Sequence, residues 1–312
     1  MIECKECGKL FKNERALHCH IKEHDMYMAD YYTKHYPRFN KLTGEPMPFK
    51  NKESYFEKDF NNSSQLNEWC QRSGDSIVSQ YILEKLKQRV SSKGLKRGPG
   101  HLELKINGLP SLDQYIRCFG SYSSACEKIG INPLFFKRMP KDFTNCDTSG
   151  IKIFIDTREQ KPLRFKNSEV MALDAGDYTA AGEFYDRTYI DRKSPSDLIS
   201  TLSLKNLDRF RAELNRISNI DSYLFVVVES SLEYIEKYLA SAKRNKFGPH
   251  KTSSKFIYHN MREICHEFSD RCQFIFSGSR EKSEMLIPKI LFFGSILWNV
   301  DMQYYLDKDD LG

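Results

Sequence analysis

Apolar positions along the chain follow two kinds of pattern, and their order predicts an architecture. Unbroken apolar runs at 151–155, Tyr223–Val228 and Cys272–Phe276 predict strands, the second of them buried on both faces, and the shorter Tyr189-Ile190 predicts another. Between and after them, apolar residues recur at helical spacing. Leu198, Ile199 and Leu202 follow a Ser194 cap and Pro195; Leu207, Phe210, Leu214 and Ile217 mark a second helix. Ile257, Met261, Ile264 and Phe268 mark a third, and 285–298 reads as a long apolar helix. Interspersed strands and helices of this kind imply an α/β core with a mixed sheet.

The first half has shorter periods. Ile77, Tyr81, Leu83, Leu86 and Val90 predict an amphipathic helix over 77–90, followed by a Gly-rich break at 91–100. Two further short helices are expected around Phe119-Gly120-Ser121, read either as a helix-turn-helix or as a helical spacer. Polar, turn-rich 140–150 reads as a linker. The resulting division is 1–26, 27–148 and 149–312.

A length of 312 residues and 40% hydrophobic content suit two or three domains with ordinary cores. Nine cysteines and no apolar leader, since Cys4 falls where one would begin, predict a reducing, intracellular setting. The longest apolar stretch, 290–300, is shorter than the ~18 residues needed to cross a bilayer, so no membrane partner is expected. Net charge is +6, and all of it lies early: residues 1–150 carry 24 Lys and Arg against 18 Asp and Glu, and the remainder 24 of each. A polyanion such as DNA would be held mainly by the first half, although a solvated surface has the same composition.

Cys4 and Cys7 are separated by two residues, Cys7 and His20 by twelve, and His20 and His24 by three. Both thiolates on one turn and two histidines four apart on a helix face can close a tetrahedron around structural zinc. Phe11 and Leu17 supply a core too small to fold without metal, so zinc binding would drive folding. The segment resembles the two-Cys, two-His zinc finger family, a ββα unit. That resemblance places Asn13, Arg15, Ala16 and Cys19 toward DNA bases, and the last two are poor hydrogen-bonding readers. One finger covers about 3 base pairs, too few to define a site alone.

Downstream, Tyr31, Tyr32, Tyr36, Arg38, Tyr55 and Phe56 interleave rings and cations, as either a nucleic-acid surface or a small core does. Lys85, Lys87, Arg89, Lys93, Lys96, Arg97 and Lys105 form a basic run that either follows a phosphate backbone or is a solvated face.

In the last segment, apolar stretches deliver acids to their ends: Asp156 after 151–155, Asp177 after Gly176, and Asp191 after Tyr189-Ile190. Carboxylates gathered at strand ends repel unless they hold a hard cation, and an all-oxygen set favours magnesium or manganese. Lys193, two residues past Asp191, projects from the same strand face. The motifs Ile153-Phe-Ile-Asp-Thr-Arg-Glu159, Gly176-Asp177 and Asp191-Arg192-Lys193 with Asp197 resemble the XPF-type nuclease domain, a branch of the PD-(D/E)XK nucleases, over some 145 residues. The resemblance implies a restriction-endonuclease-like core, metal ligation by Asp156, Asp177 and Asp191, and catalysis by Lys193. It also implies supporting roles for Arg158, Glu159, Arg192 and Asp197, and pairing into a homodimer through this domain. Asp191 departs from the glutamate usual there. The helicase and helix-hairpin-helix domains often attached to this nuclease are not seen, so flap and fork recognition does not follow.

The finger and the sequence between 31 and 56 together resemble N-terminal modules of phage-type mobile endonucleases. The expected function is a magnesium-dependent DNA endonuclease directed by its N-terminal half, of the mobile or homing kind. Two alternatives stay open: a repair nuclease acting on branched DNA, and a DNA-binding regulator without catalysis.

Overall fold

The computed structural model describes residues 1–181, 187–244 and 253–308. In chain order the elements are β1 (Ile2–Glu3), β2 (Leu10–Phe11), α1 (Glu14–His20), α2 (Met28–His35), α3 (Lys52–Glu57), α4 (Ser63–Arg72) and α5 (Asp75–Lys93). They continue with β3 (Arg97–Gly98), α6 (His101–Ile106), α7 (Leu112–Phe119), α8 (Tyr122–Glu127), β4 (Asn132–Pro133), β5 (Ile153–Asp156) and β6 (Ser168–Met171). Then come β7 (Tyr178–Ala180), β8 (Thr188–Lys193), α9 (Pro195–Thr201), α10 (Leu204–Asn219), β9 (Tyr223–Val228) and α11 (Leu232–Arg244). Last are α12 (Ser254–Glu267), β10 (Cys272–Phe276), α13 (Arg280–Phe293) and α14 (Met302–Asp307). No helix among the described residues is long and apolar enough to cross a membrane.

The chain forms two compact units, one of Met1–Lys85 with Gly108–Gly120, the other of Leu86–Asn107 with Ser121–Gly312. In the first, the β1–β2 hairpin and α1 do not fold around metal alone. Leu17 and Ile21 join Tyr31, Tyr32, Met47 and Tyr55 in one buried cluster, so the rings read as either DNA surface or core are in large part core. Tyr31 Oη accepts the Lys5 N–H at 2.8 Å, pinning the turn between the two cysteines. Helix α5 buries Val78, Tyr81, Ile82 and Leu86, while Ile77 is 61% exposed. Tyr81 and Leu86 of the predicted stripe are therefore buried as expected, while Val78 and Ile82 take the inner places expected of Ile77 and Leu83. Helices α7 and α8, expected as a pair, fall in different units: Leu112 and Tyr115 bury in the first, Ala125 and Cys126 in the second.

The second unit is α/β. Its six-stranded sheet has the order β10-β9-β8-β7-β5-β6. Pairing is parallel from β10 through β8, antiparallel across β7, and parallel again between β5 and β6. Strand β9 explains the layering. Leu224, Val226 and Val228 pack with α9, α10, α11 and α12 on one face, and Tyr223, Phe225 and Val227 pack with α13 on the other. A strand covered on both sides needs an unbroken apolar run, and β9 is buried throughout. Phe143, inside the stretch read as a linker, is fully buried against the second of these layers. The apolar helix expected over 285–298 begins earlier, at Arg280, carries Pro288 inside it and gives way to a short 3-10 turn after Phe293.

Candidate functional site

Two clusters of chemistry-bearing side chains stand out, one in each unit. In the first, the sulfur atoms of Cys4 and Cys7 and the ring nitrogens of His20 and His24 all lie within 4.8 Å of one another. Cys7 Sγ is 3.2 Å and His24 Nε2 3.1 Å from His20 Nε2, and Cys4 Sγ is 3.8 Å from His24 Nε2. Zinc bond lengths of about 2.0–2.3 Å put tetrahedral edges at roughly 3.3–3.8 Å, so the donor set fits a structural zinc ion. The histidines do not share one regular helix: α1 ends at His20, and His24 closes a following 3-10 turn. Glu23 holds His20 Nδ1 at 2.8 Å, leaving Nε2 for metal. Of the residues expected to face DNA, Arg15 and Cys19 are exposed, whereas Asn13 spends its Oδ1 on the Ala16 N–H as the cap of α1.

The basic run is divided. Lys85 pairs with Asp59 at 2.6 Å, and Arg89 with Glu103 at 3.0 Å, so both charges are neutralised internally. Lys105 bonds Asp307 at 2.8 Å and Glu233 at 3.0 Å. Lys87, Lys93 and Lys96 are exposed, and Arg97 is half-buried.

In the second unit the sheet brings the acidic motifs side by side. Asp156 ends β5 and donates its N–H to the Asp177 carbonyl at 2.9 Å. Asp177 donates its own N–H to the Ile190 carbonyl at 2.7 Å, which sets it beside Asp191 in β8. Only glycine fits before it: Gly176 has φ +64, and a Cβ there would lie 2.7 Å from the Ile190 carbonyl oxygen. Asp177 Oδ2 accepts the Arg192 N–H at 2.7 Å.

The carboxylates have different partners. Both oxygens of Asp156 are taken, Oδ1 by the Arg158 N–H and Nε, Oδ2 by Arg158 Nη2 and the Leu173 N–H. Burial opposes the charge of Asp156, but Arg158 and these N–H groups hold it below the usual carboxylate range. Arg192 lies between Glu159 at 2.9 Å and Glu229 at 3.0 Å, and Glu229 continues to Arg280. The ammonium of Lys193 is 2.6 Å from Asp191 Oδ2 and 5.6 Å from the centre of the Phe210 ring. Burial works against that ammonium, yet Asp191, Asp177 and Glu213 keep it firmly protonated. Asp197 accepts from Ser194 Oγ at 2.6 Å at the start of α9. Asp177 makes no ion pair among the described residues; burial, and then Asp191, push it up to about 8. Among the described residues, Cys4, Cys7, His20 and His24 are the one group of His, Cys, Asp or Glu side chains placed to hold a metal ion, and the expected set Asp156, Asp177 and Asp191 does not form another.

Glu213 was missed from the sequence. It belongs to α10, the helix that carries Phe210, and burial, then Asp191, raises its carboxyl above the usual range. Its only sequence signal is an acid bordering the stripe Leu207, Phe210, Leu214 and Ile217. Arg158, Arg192, Lys193 and Arg280 are matched to Asp156, Glu159, Glu229 and Asp191, whereas Asp177 and Glu213, both raised chiefly by burial, make no ion pair among the described residues.

Neither a family model nor a curated protein sequence matches the chain. Among solved structures, it is similar to XPF from Aeropyrum pernix with 16% identity and a TM-score of 0.33, over 46% of this chain and 66% of that one. It is likewise similar to XPF from Aeropyrum pernix in complex with DNA, again with 16% identity and a TM-score of 0.33, over 45% of this chain and 62% of the other. The chain thus spans less than two thirds of either.

Proposed function

We propose that this chain is a metal-dependent DNA endonuclease whose reaction centre lies around Asp177, Asp191 and Lys193. The observation that carries the reading is the placement of Asp156, Asp177 and Asp191 on adjoining strands beside the nearly enclosed Lys193, whose ammonium is 2.6 Å from Asp191. Magnesium or manganese held by Asp177 and Asp191 would supply Lewis-acid polarisation of the phosphodiester. Lys193 holds a proton in a half-enclosed site and offers a fixed positive charge to the phosphate as its negative charge grows. Arg158, 67% exposed at its side chain, stands where it can bind an incoming phosphate once it leaves Asp156. Target choice falls to the N-terminal half, through the exposed face of α1 and Lys87, Lys93 and Lys96, as in a mobile endonuclease that cuts one locus.

The test is cleavage by zinc-loaded protein of plasmid, fork and linear duplex with magnesium or manganese. Asp177→Asn and Lys193→Ala should each lower cleavage about a hundredfold or more while DNA binding persists. Wild type leaving every substrate intact would remove the reading. Faster cutting of forks than of any duplex sequence would move it to a branched-DNA nuclease.

One observation favours a regulator that binds DNA without cutting it: Arg158 occupies both oxygens of Asp156. Metal-independent binding with no nicking would establish that alternative.

A further inference from the structure

We infer that the outer face of α10 is a phosphate track, on which Lys205, Arg209 and Arg216 grip one strand of duplex DNA and lead it past Lys193. The inference deepens, and rests on, the reading of the chain as a DNA endonuclease.

The track follows from helix geometry. At 3.6 residues per turn, positions 205, 209, 212 and 216 fall within roughly 60° of one another around the helix axis. Leu207, Phe210, Leu214 and Ile217 bury the opposite side of α10. The row consists of Lys205, Arg209, Ala212 and Arg216, all four exposed, and no acid interrupts it. With a rise of ~1.5 Å per residue it is about 16 Å long. A DNA strand presents a phosphate every ~3.4 Å of duplex axis, so each of the three cations can meet one. Ala212, small and central, leaves room for the backbone to come close.

Exposed cations are commonly matched by an acid on the same helix, and these three are not. Lys205, Arg209 and Arg216 make no ion pair or side-chain hydrogen bond among the described residues. Asp208, at one edge of the row, lies 3.6 Å from Arg211, which also reaches Glu267 at 2.8 Å. That edge is neutral without the row. Residues 151–312 carry equal numbers of acids and bases, so the row is a local excess of positive charge in a neutral segment.

The row also lies close to the chemistry. Phe210, next to Arg209, has its ring centre 5.6 Å from the Lys193 ammonium. An α-helix with its side chains is about 10–12 Å across, so a strand on the outer face of α10 passes roughly that distance from Lys193. Contacts to phosphates set register and orientation without reading bases. The track therefore fixes how DNA lies over the second unit, and target choice stays with the N-terminal half.

The experiment measures binding of the zinc-loaded full chain to a fluorescent duplex by anisotropy, between about 50 and about 200 mM salt and without magnesium. Lys205→Gln/Arg209→Gln/Arg216→Gln should bind about tenfold more weakly than wild type. Its plot of log affinity against log salt should be shallower by roughly 2 to 3, at about 0.9 for each lost phosphate contact. Lys166→Gln/Lys237→Gln/Lys282→Gln removes the same charge from exposed positions elsewhere in the second unit and should bind as wild type does. Unchanged binding by the first variant, or equal weakening in both, overturns the track; magnesium-dependent cleavage by wild type would leave the endonuclease reading standing. No duplex bound by wild type overturns both. Weakening confined to an RNA duplex of the same sequence assigns the face to RNA and overturns the proposal. Should the first variant not fold, Arg209→Gln alone should lower the slope by about 1, and an unchanged slope overturns the track.

Discussion

Arg158 closes on Asp156 as a two-point fork, Nε to Oδ1 at 2.6 Å and Nη2 to Oδ2 at 3.0 Å, only two residues along the chain. The acid at the end of β5 is thereby neutralised by its own neighbour, while Asp177 and Glu213 make no such pair among the described residues and are raised by burial.

Removing the fork should expose the acid. In Arg158→Ala, Asp156 keeps the N–H of residue 158 and that of Leu173 but loses its guanidinium. Manganese should bind several-fold more tightly in a calorimetric titration. The gain is limited because the Arg158 side chain is mostly solvent-exposed and screened. Unchanged or weaker manganese binding would show that Asp156 takes no part in holding the ion.

Zinc should support more than the finger. Cys4, Leu17 and Ile21 share a buried cluster with Tyr31, Tyr32, Met47 and Tyr55, and Tyr31 bonds the turn between the cysteines. Chelating zinc, or Cys7→Ser, should abolish amide protection in α2 and α3 as well as α1. Strands β8 and β9, which lie in the other unit, should keep theirs. Hydrogen exchange read by mass spectrometry checks this, and full protection of α2 after chelation would show that the finger is energetically separate.

Asp177 gives a pH dependence of defined sign. Native protein holds its proton up to about 8, whereas the unfolded chain releases it in the ordinary carboxylate range. The native state therefore binds more protons between about 4 and about 8, and its stability falls as pH rises through that window. In magnesium-free, zinc-loaded protein, the urea midpoint should fall from pH 5 to pH 8 more in wild type than in Asp177→Asn. Parallel curves for the two proteins would refute it.

Several features were readable because they are local. The cysteine and histidine spacing specifies its metal set without knowledge of the rest of the chain. The unbroken run of β9 and the stripe of α10 announce burial because period and solvent exposure are directly coupled. In α5 the pattern marks Tyr81 and Leu86 correctly, but Ile77 and Val78 are equally apolar and only packing distinguishes them. For Lys85 and Arg89 the sequence leaves a phosphate-binding run and a solvated face open, and both are replaced by internal pairing with Asp59 and Glu103.

The amino-acid order by itself determined which groups are present: four soft ligands for zinc, acids at the ends of apolar runs, and a lysine two positions past one of them. Tertiary structure alone decided which charges cancel. Pairing of β5, β7 and β8 brings Asp156, Asp177 and Asp191 to one region, and Glu229, 37 residues on from Arg192, closes on its guanidinium. Electrostatic partnership depends on distance through space and on exclusion of water, and neither is encoded in the separation of residues along a chain.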